Sequence, residues 1–308
     1  MTNVIDEAYI NDNLINNDSL FNYIYVIEQN FDIIPNTDNH YGACIAYQDI
    51  TELRNEFLNE LYDSIQDWVY NRKKYNKLKT SAMSKGKTES AAASEISRRA
   101  RDTFRGNRNS QNILIQGQLG ELLLFHFIQR LQKAIPLLRK MKITTSNKHE
   151  RFGADAIHFK YEQKKPIIIL GEAKTYTSEY KFNEAFTDAI ISILNTYKNH
   201  RDEINFYTHE DFLDPEMDEI AEQYINNTLK DIEVHLVSIV VYNETSDIMG
   251  NTRDEILQKI TKVIENRYSN FDKDKVDIKN NAILKRITYI IFPIWKLDEL
   301  VSVFQKML

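Results

Sequence analysis

The chain has 308 residues, 42% of them hydrophobic, which is enough to bury a large core and favours two domains over one. No run of eighteen apolar residues occurs, and the opening "MTNVIDEAYINDNLINND" has neither a basic nor an apolar stretch, so the reading is a cytoplasmic protein with no membrane span and no secretory signal. Cys44 is the single cysteine; it excludes an internal disulfide and any multi-cysteine metal cage, and reads as a buried structural thiol.

The formal net charge of −6 is unevenly placed. From Arg72 to Arg108 there are twelve Lys or Arg against three acids, a balance of +9. From Arg201 to Asp231 ten acids face two cations, a balance of −8. One portion of the chain therefore suits phosphates and another repels them.

In chain order, residues 1–108 read as a smaller mixed N-terminal domain. It opens with a strand-like "NYIYVI", followed by a helix on which Leu53, Phe57, Leu61, Ile65 and Trp68 form a core stripe. Residues 72–108, rich in Ser, Ala and basic side chains, read as a mobile linker or loosely held basic arm. The second domain, residues 109–308, begins with the apolar helix "NILIQGQLGELLLFHFIQRLQ", which stops before Pro136. A short strand follows at 142–146, then two strands at 155–160 and 167–174, then a helix carrying Phe182, Phe186, Ala189, Ile190, Ile193, Leu194 and Tyr197 on one stripe. An acidic insertion at 201–231 reads as an exposed helix starting at Pro215. The strand "IEVHLVSIVVY", a helix near 253–266, the strand "ITYIIFPI" and the helix "LDELVSVFQKML" complete the domain, and no internal repeat is visible. The class is α/β, a mixed sheet with an αβββαβ core.

The two strands around 155–174 carry the chemistry. If their loop "YEQKKP" is symmetric about its middle, residue n faces residue 327 minus n, and Asp155 faces Glu172. Opposed strand residues have Cβ atoms about 4.5–5.5 Å apart. Two carboxylates so close on an apolar face repel each other, and a divalent cation relieves the conflict. Hard oxygen ligands that leave room for water and phosphate suit Mg²⁺, or Mn²⁺ in its place. Lys174, two residues beyond Glu172, points the same way and is placed to orient or deprotonate a water and to stabilise developing phosphate charge. Glu121, inside the apolar helix near Gly117 and Gly120, is a third candidate, reaching either the metal edge or Lys174. His158 lies on the opposite face from Asp155 and reads as packing; His126 reads as a hydrogen-bonded core histidine. His149 and Arg151 are read as loop residues near phosphate, and Tyr176 as a cleft residue.

Glu121 in "GELLLF", Asp155 in "GADAIHF" and Glu172 with Lys174 in "IIILGEAK", set on αβββαβ, resemble the PD-(D/E)xK nuclease superfamily, whose fold is restriction-endonuclease-like. Ala154 stands where that pattern usually has proline. More narrowly, "FGADAIHF" followed by "LGEAKTY" looks like the HamA family, the nuclease subunits of Hachiman anti-phage defence, over roughly residues 110–300. The resemblance implies a Mg²⁺-dependent deoxyribonuclease. Its catalytic residues are Glu121, Asp155, Glu172 and Lys174, with Asp155 and Glu172 as metal ligands. It also implies DNA as substrate and a helicase partner, HamB, that holds the nuclease inactive until DNA is engaged. A non-catalytic nucleic-acid or protein adaptor on the same fold is the competing class, and a structure-specific resolvase or RNA nuclease is a further one.

Overall fold

The computed structural model describes residues 5–15, 19–28, 40–105, 112–138, 153–178, 181–209, 213, 215–277 and 280–308. Helix α1 (Glu7–Asn13) is capped by Asp6, whose side chain accepts the Tyr9 N–H at 2.8 Å. Strands β1 (Ile24–Glu28) and β2 (Tyr41–Ile45) and the short ribbon β3 (Tyr47–Gln48) and β4 (Thr51–Glu52) precede α2 (Arg54–Val69), α3 (Arg72–Ser84) and α4 (Glu89–Arg105). Next come α5 (Asn112–Gln132), β5 (Ile135–Leu138), β6 (Ala156–Glu162), β7 (Lys165–Tyr176), α6 (Phe182–His209) and α7 (Pro215–Ile225). The chain closes with β8 (Glu233–Glu244), α8 (Arg253–Ser269), β9 (Ile287–Trp295) and α9 (Leu297–Met307).

Seven strands form one mixed sheet in the order β1-β2-β9-β8-β7-β6-β5. The centre is parallel, β7 with β8 and β8 with β9, and the β5–β6–β7 side is antiparallel. Period-two alternation sends Ile168, Leu170, Leu236, Val240, Tyr289 and Ile291 to one face, where they meet Phe186, Ala189, Ile190 and Ile193 of α6. The other face sends Ile167, Ile169, Val237, Ile239, Ile290 and Phe292 against Leu119, Leu123 and Phe127 of α5, Leu300 and Phe304 of α9, and Phe57 and Leu61 of α2. The central strands are buried on both sides, which is why they read as continuous apolar runs.

The structure differs from two of these expectations and adds two features to them. Residues 72–105 form a helical hairpin instead of a linker: Ala92, Ile96, Ala100 and Phe104 are buried at a spacing of four, and the Phe104 ring packs edge-on against Trp68 and Phe304. Strand β5, at Ile135–Leu138, precedes β6, and the strand expected at 142–146 lies outside the described residues. Pro136 therefore sits on a strand, tolerated because β5 is the sheet edge and its register shifts between Pro136 and Leu138. The acidic region is the end of α6 and α7, and Met217, Ile220, Ala221 and Tyr224 bury one side of α7 in the core. Finally, β1 and β2 join the same sheet as β5–β9, and residues on both sides of position 108 share one apolar layer.

Candidate active site

The β6–β7 hairpin turns through Gln163 and Lys164, both with positive φ (51° and 66°), as a two-residue turn matched to strand twist requires. The register runs from Glu162↔Lys165 to Ala156↔Gly171, so paired numbers sum to 327 as loop symmetry predicts. One residue further the register slips: the Asp155 N–H donates to the Gly171 carbonyl at 3.0 Å, one residue out of step with the sum of 327, while its carboxylate stays near enough to Glu172 for its charge to act there. Strand β6 is absent beyond this point while β7 continues to Tyr176, with β8 on its other side. The exposed edge of β7 is filled by side chains: Asp155 Oδ2 accepts the Ala173 N–H at 2.9 Å, and the Gln116 amide donates to the Thr175 carbonyl.

On the face toward α6, Glu172, Lys174 and Tyr176 meet a polar strip of Asp188, Ser192 and Thr196, spaced four apart on an otherwise apolar helix. Glu172 Oε1 accepts from Ser192 Oγ at 2.6 Å and Lys174 Nζ at 2.9 Å; Oε2 accepts from Thr196 Oγ1 at 3.3 Å. Lys174 Nζ also donates to Ser192 Oγ at 3.2 Å, and the Tyr176 hydroxyl donates to Asp188. The Glu172 side chain is 6% exposed and that of Lys174 27%. Burial, and then the charge of Asp155, raise the Glu172 pKa against the opposing pull of Lys174 and Ser192. Burial is the larger of the two causes, and the Asp155 charge adds to it. The strip escaped the sequence reading, although a small or acidic side chain every fourth residue of "FNEAFTDAIISILNTY" was its signal.

The approach to Asp155 is pinned from α6. Glu203 Oε2 accepts the Ala154 N–H at 2.9 Å, and Glu203 Oε1 accepts from the Tyr207 hydroxyl at 3.1 Å. Gly153 has φ +153°, and a Cβ there meets Glu203 Oε1 at 2.2 Å, so glycine is the residue that lets this carboxylate approach the loop. An acid from the −8 region therefore positions the candidate aspartate.

Glu121 is half-buried on α5, between two close contacts with β7. A Cβ at Gly120 meets Thr175 Oγ1 at 2.3 Å, and a Cβ at Gly171 meets Leu124 at 2.9 Å; Gly117, by contrast, has open space around it. Helix α5 thus runs along Gly171–Thr175 on the sheet face opposite Glu172 and Lys174. His158 is buried with Nδ1 3.0 Å from the Ala134 carbonyl, a packing role. His126 is buried, its pKa pushed down to about 3 by burial, and its Nε2 has no hydrogen-bond partner among the described residues. His149 and Arg151 lie outside the described residues. Among the described residues no cluster of three or more His, Cys, Asp or Glu side chains is arranged to hold a metal.

Fold and site define a mixed α/β protein with a central seven-stranded sheet and an acid–acid–lysine group where a hairpin strand stops short. No helix among the described residues is long and apolar enough to cross a membrane. The chain belongs to the HamA family, whose model matches residues 19–308, and so to the Hachiman anti-phage defence system, which includes a helicase partner. No curated protein matches the chain.

Proposed function

We propose that the chain is a Mg²⁺-dependent deoxyribonuclease of PD-(D/E)xK type, hydrolysing phosphodiester bonds as the effector of its defence system under control of the helicase. The observation that carries this reading is the Asp155 carboxylate held on the Ala173 N–H, between Glu172 and Lys174, while Lys174 bonds Glu172. Two neighbouring hard carboxylates, the pKa of Glu172 raised by burial and then by the charge of Asp155, suit an ion that takes one or two carboxylates and keeps several waters. When bound by Asp155 and Glu172, Mg²⁺ supplies Lewis-acid stabilisation of phosphate charge.

The chain's own groups do the rest. Lys174, partly exposed and held by Glu172 and Ser192, orients a water toward phosphorus and balances charge on the phosphate oxygens. Ser192 and Thr196 fix the Glu172 carboxylate, and Glu203 fixes the backbone before Asp155. Glu121 acts from the other sheet face, around the β7 edge.

The test uses the purified chain, alone and with its helicase, on plasmid, linear duplex, single-stranded DNA and RNA, with Mg²⁺ or with EDTA. DNA cutting is expected with Mg²⁺, is lost in EDTA, and falls about a hundredfold or more in Lys174→Ala. Cutting that survives both changes overturns the reading; DNA binding without cutting in any mixture assigns the fold to an adaptor.

A further inference from the structure

Helix α3 spends its own stability on charge. It carries Arg72, Lys73, Lys74, Lys77 and Lys79 and no acid, and no acid occurs anywhere from Trp68 to Thr88. Three of those cations fill the first turn, where the helix dipole favours anions. Lys73 and Lys77 are four apart, a like-charge spacing that destabilises a helix. None of the thirteen residues of α3 is buried, so no core contact of its own offsets these costs. The helix is held through its inner side, where Tyr75, Leu78, Lys79 and Ala82 are partly covered and Lys79 pairs with Glu89 of α4 at 2.5 Å.

Its outer side is different. At 100° per residue, Lys74, Lys77 and Ser81 fall on one stripe, and the C-cap residue Lys85 continues it, all exposed. No ion pair of Lys74, Lys77 or Lys85 is found among the described residues, whereas Glu95 of α4 answers both Lys87 and Arg99. A protein of net charge −6 has no need of such a concentration for solubility; interspersed charges serve that purpose. From Lys74 to Lys85 the helix rise is about 16 Å, the length of duplex that carries about nine phosphates.

We propose that the outer stripe of α3, Lys74, Lys77 and Lys85, is a nucleic-acid backbone interface that tracks the phosphates of duplex DNA. This deepens the nuclease reading and rests on it for the choice of DNA; the surface itself makes no use of Asp155, Glu172 or Lys174. The Phe104 anchor makes the hairpin a fixed mount, so the stripe holds the duplex in one orientation instead of trailing behind it.

The test is equilibrium binding of a short labelled duplex to the full chain in EDTA, where no cutting intrudes, across a series of salt concentrations. The triple variant Lys74→Gln, Lys77→Gln, Lys85→Gln should bind more weakly, and its slope of log K against log salt should be shallower by about 2.7, one phosphate contact per lysine. The same three positions changed to Arg should restore the slope. Cutting in Mg²⁺, lost in Lys174→Ala, is measured separately on the parent and the triple variant, which separates a failure of this interface from a failure of the nuclease reading. An unchanged affinity and slope in a folded triple variant, absence of duplex binding by the parent, or a larger slope change on RNA than on duplex DNA overturns the proposal. So does intact DNA binding with loss of the helicase partner, which assigns the stripe to a protein contact.

Discussion

The Asp155 carboxylate accepts the backbone N–H of Ala173, the residue between Glu172 and Lys174, at 2.9 Å. One side chain thus replaces the missing rung of the β6–β7 ladder and also projects its charge at Glu172. Asp155→Ala removes the acceptor and should cost about 1–3 kcal/mol of stability, whereas Asp155→Asn keeps an oxygen there and should cost less. Both variants should lose cutting, and Asp155→Asn should lower the Glu172 pKa by removing the neighbouring charge. Denaturant unfolding with carboxyl titration by nuclear magnetic resonance checks all three; equal stability of the Ala and Asn variants denies the ladder role.

Glu172 makes stability depend on pH in a defined direction. Its folded pKa lies above the ordinary value of 4.5, so the folded state holds the proton more tightly than the unfolded chain. Its contribution is full below that ordinary value and is lost as pH rises through the folded value. Glu172→Gln, which removes the charge and keeps the shape, should match the parent near pH 4 and melt at a higher temperature than the parent near pH 8. A Gln variant that is less stable at pH 8 than at pH 4, relative to the parent, contradicts the raised pKa.

The basic hairpin is anchored through one aromatic ring. Phe104 is fully buried between Trp68 and Phe304, so Phe104→Ala should destabilise the protein by about 3–5 kcal/mol, measured by denaturant unfolding. Lys74→Gln on exposed α3 should leave stability within about 0.5 kcal/mol. A loosely held arm gives a Phe104 effect near zero.

Local patterns made the hairpin and its flanking helix legible. Alternation along residues 156–171 fixed the faces, and loop symmetry fixed the register, because a one-residue slip sends every side chain to the wrong face. The basic segment misled because its core stripe is built partly from alanine: Ala92 and Ala100 carry too little apolar volume to stand out beside Lys and Ser, yet with Ile96 and Phe104 they complete a spacing of four. The pairing of Tyr41 with Ile290 joins residues far apart in the chain, and no local pattern announces a parallel neighbour at that distance. Pro136 reads as a helix stop, and α5 does end before it, but an edge strand also accepts proline. The Glu203 clamp was hidden because an acid in an acidic region looks like solvent-facing charge until the fold brings Gly153 beneath it.

That clamp yields a coupled pair. At Gly153 a Cβ meets the Glu203 carboxylate at 2.2 Å and the backbone φ of +153° is itself unfavourable for alanine, so Gly153→Ala should cost about 1–3 kcal/mol. Part of that cost is collision with Glu203 and part is backbone strain. Glu203→Ala removes the collision but deprives Ala154 of its acceptor. The double variant should therefore be more stable than the sum of the singles predicts, by about 0.5 kcal/mol or more, because the two residues touch. Each single variant should also slow cutting with little change in the affinity for DNA, since the displaced group is Asp155 and not the binding surface. Strict additivity in the double-mutant cycle shows that Glu203 and Gly153 act independently, and that the clamp does not position Asp155.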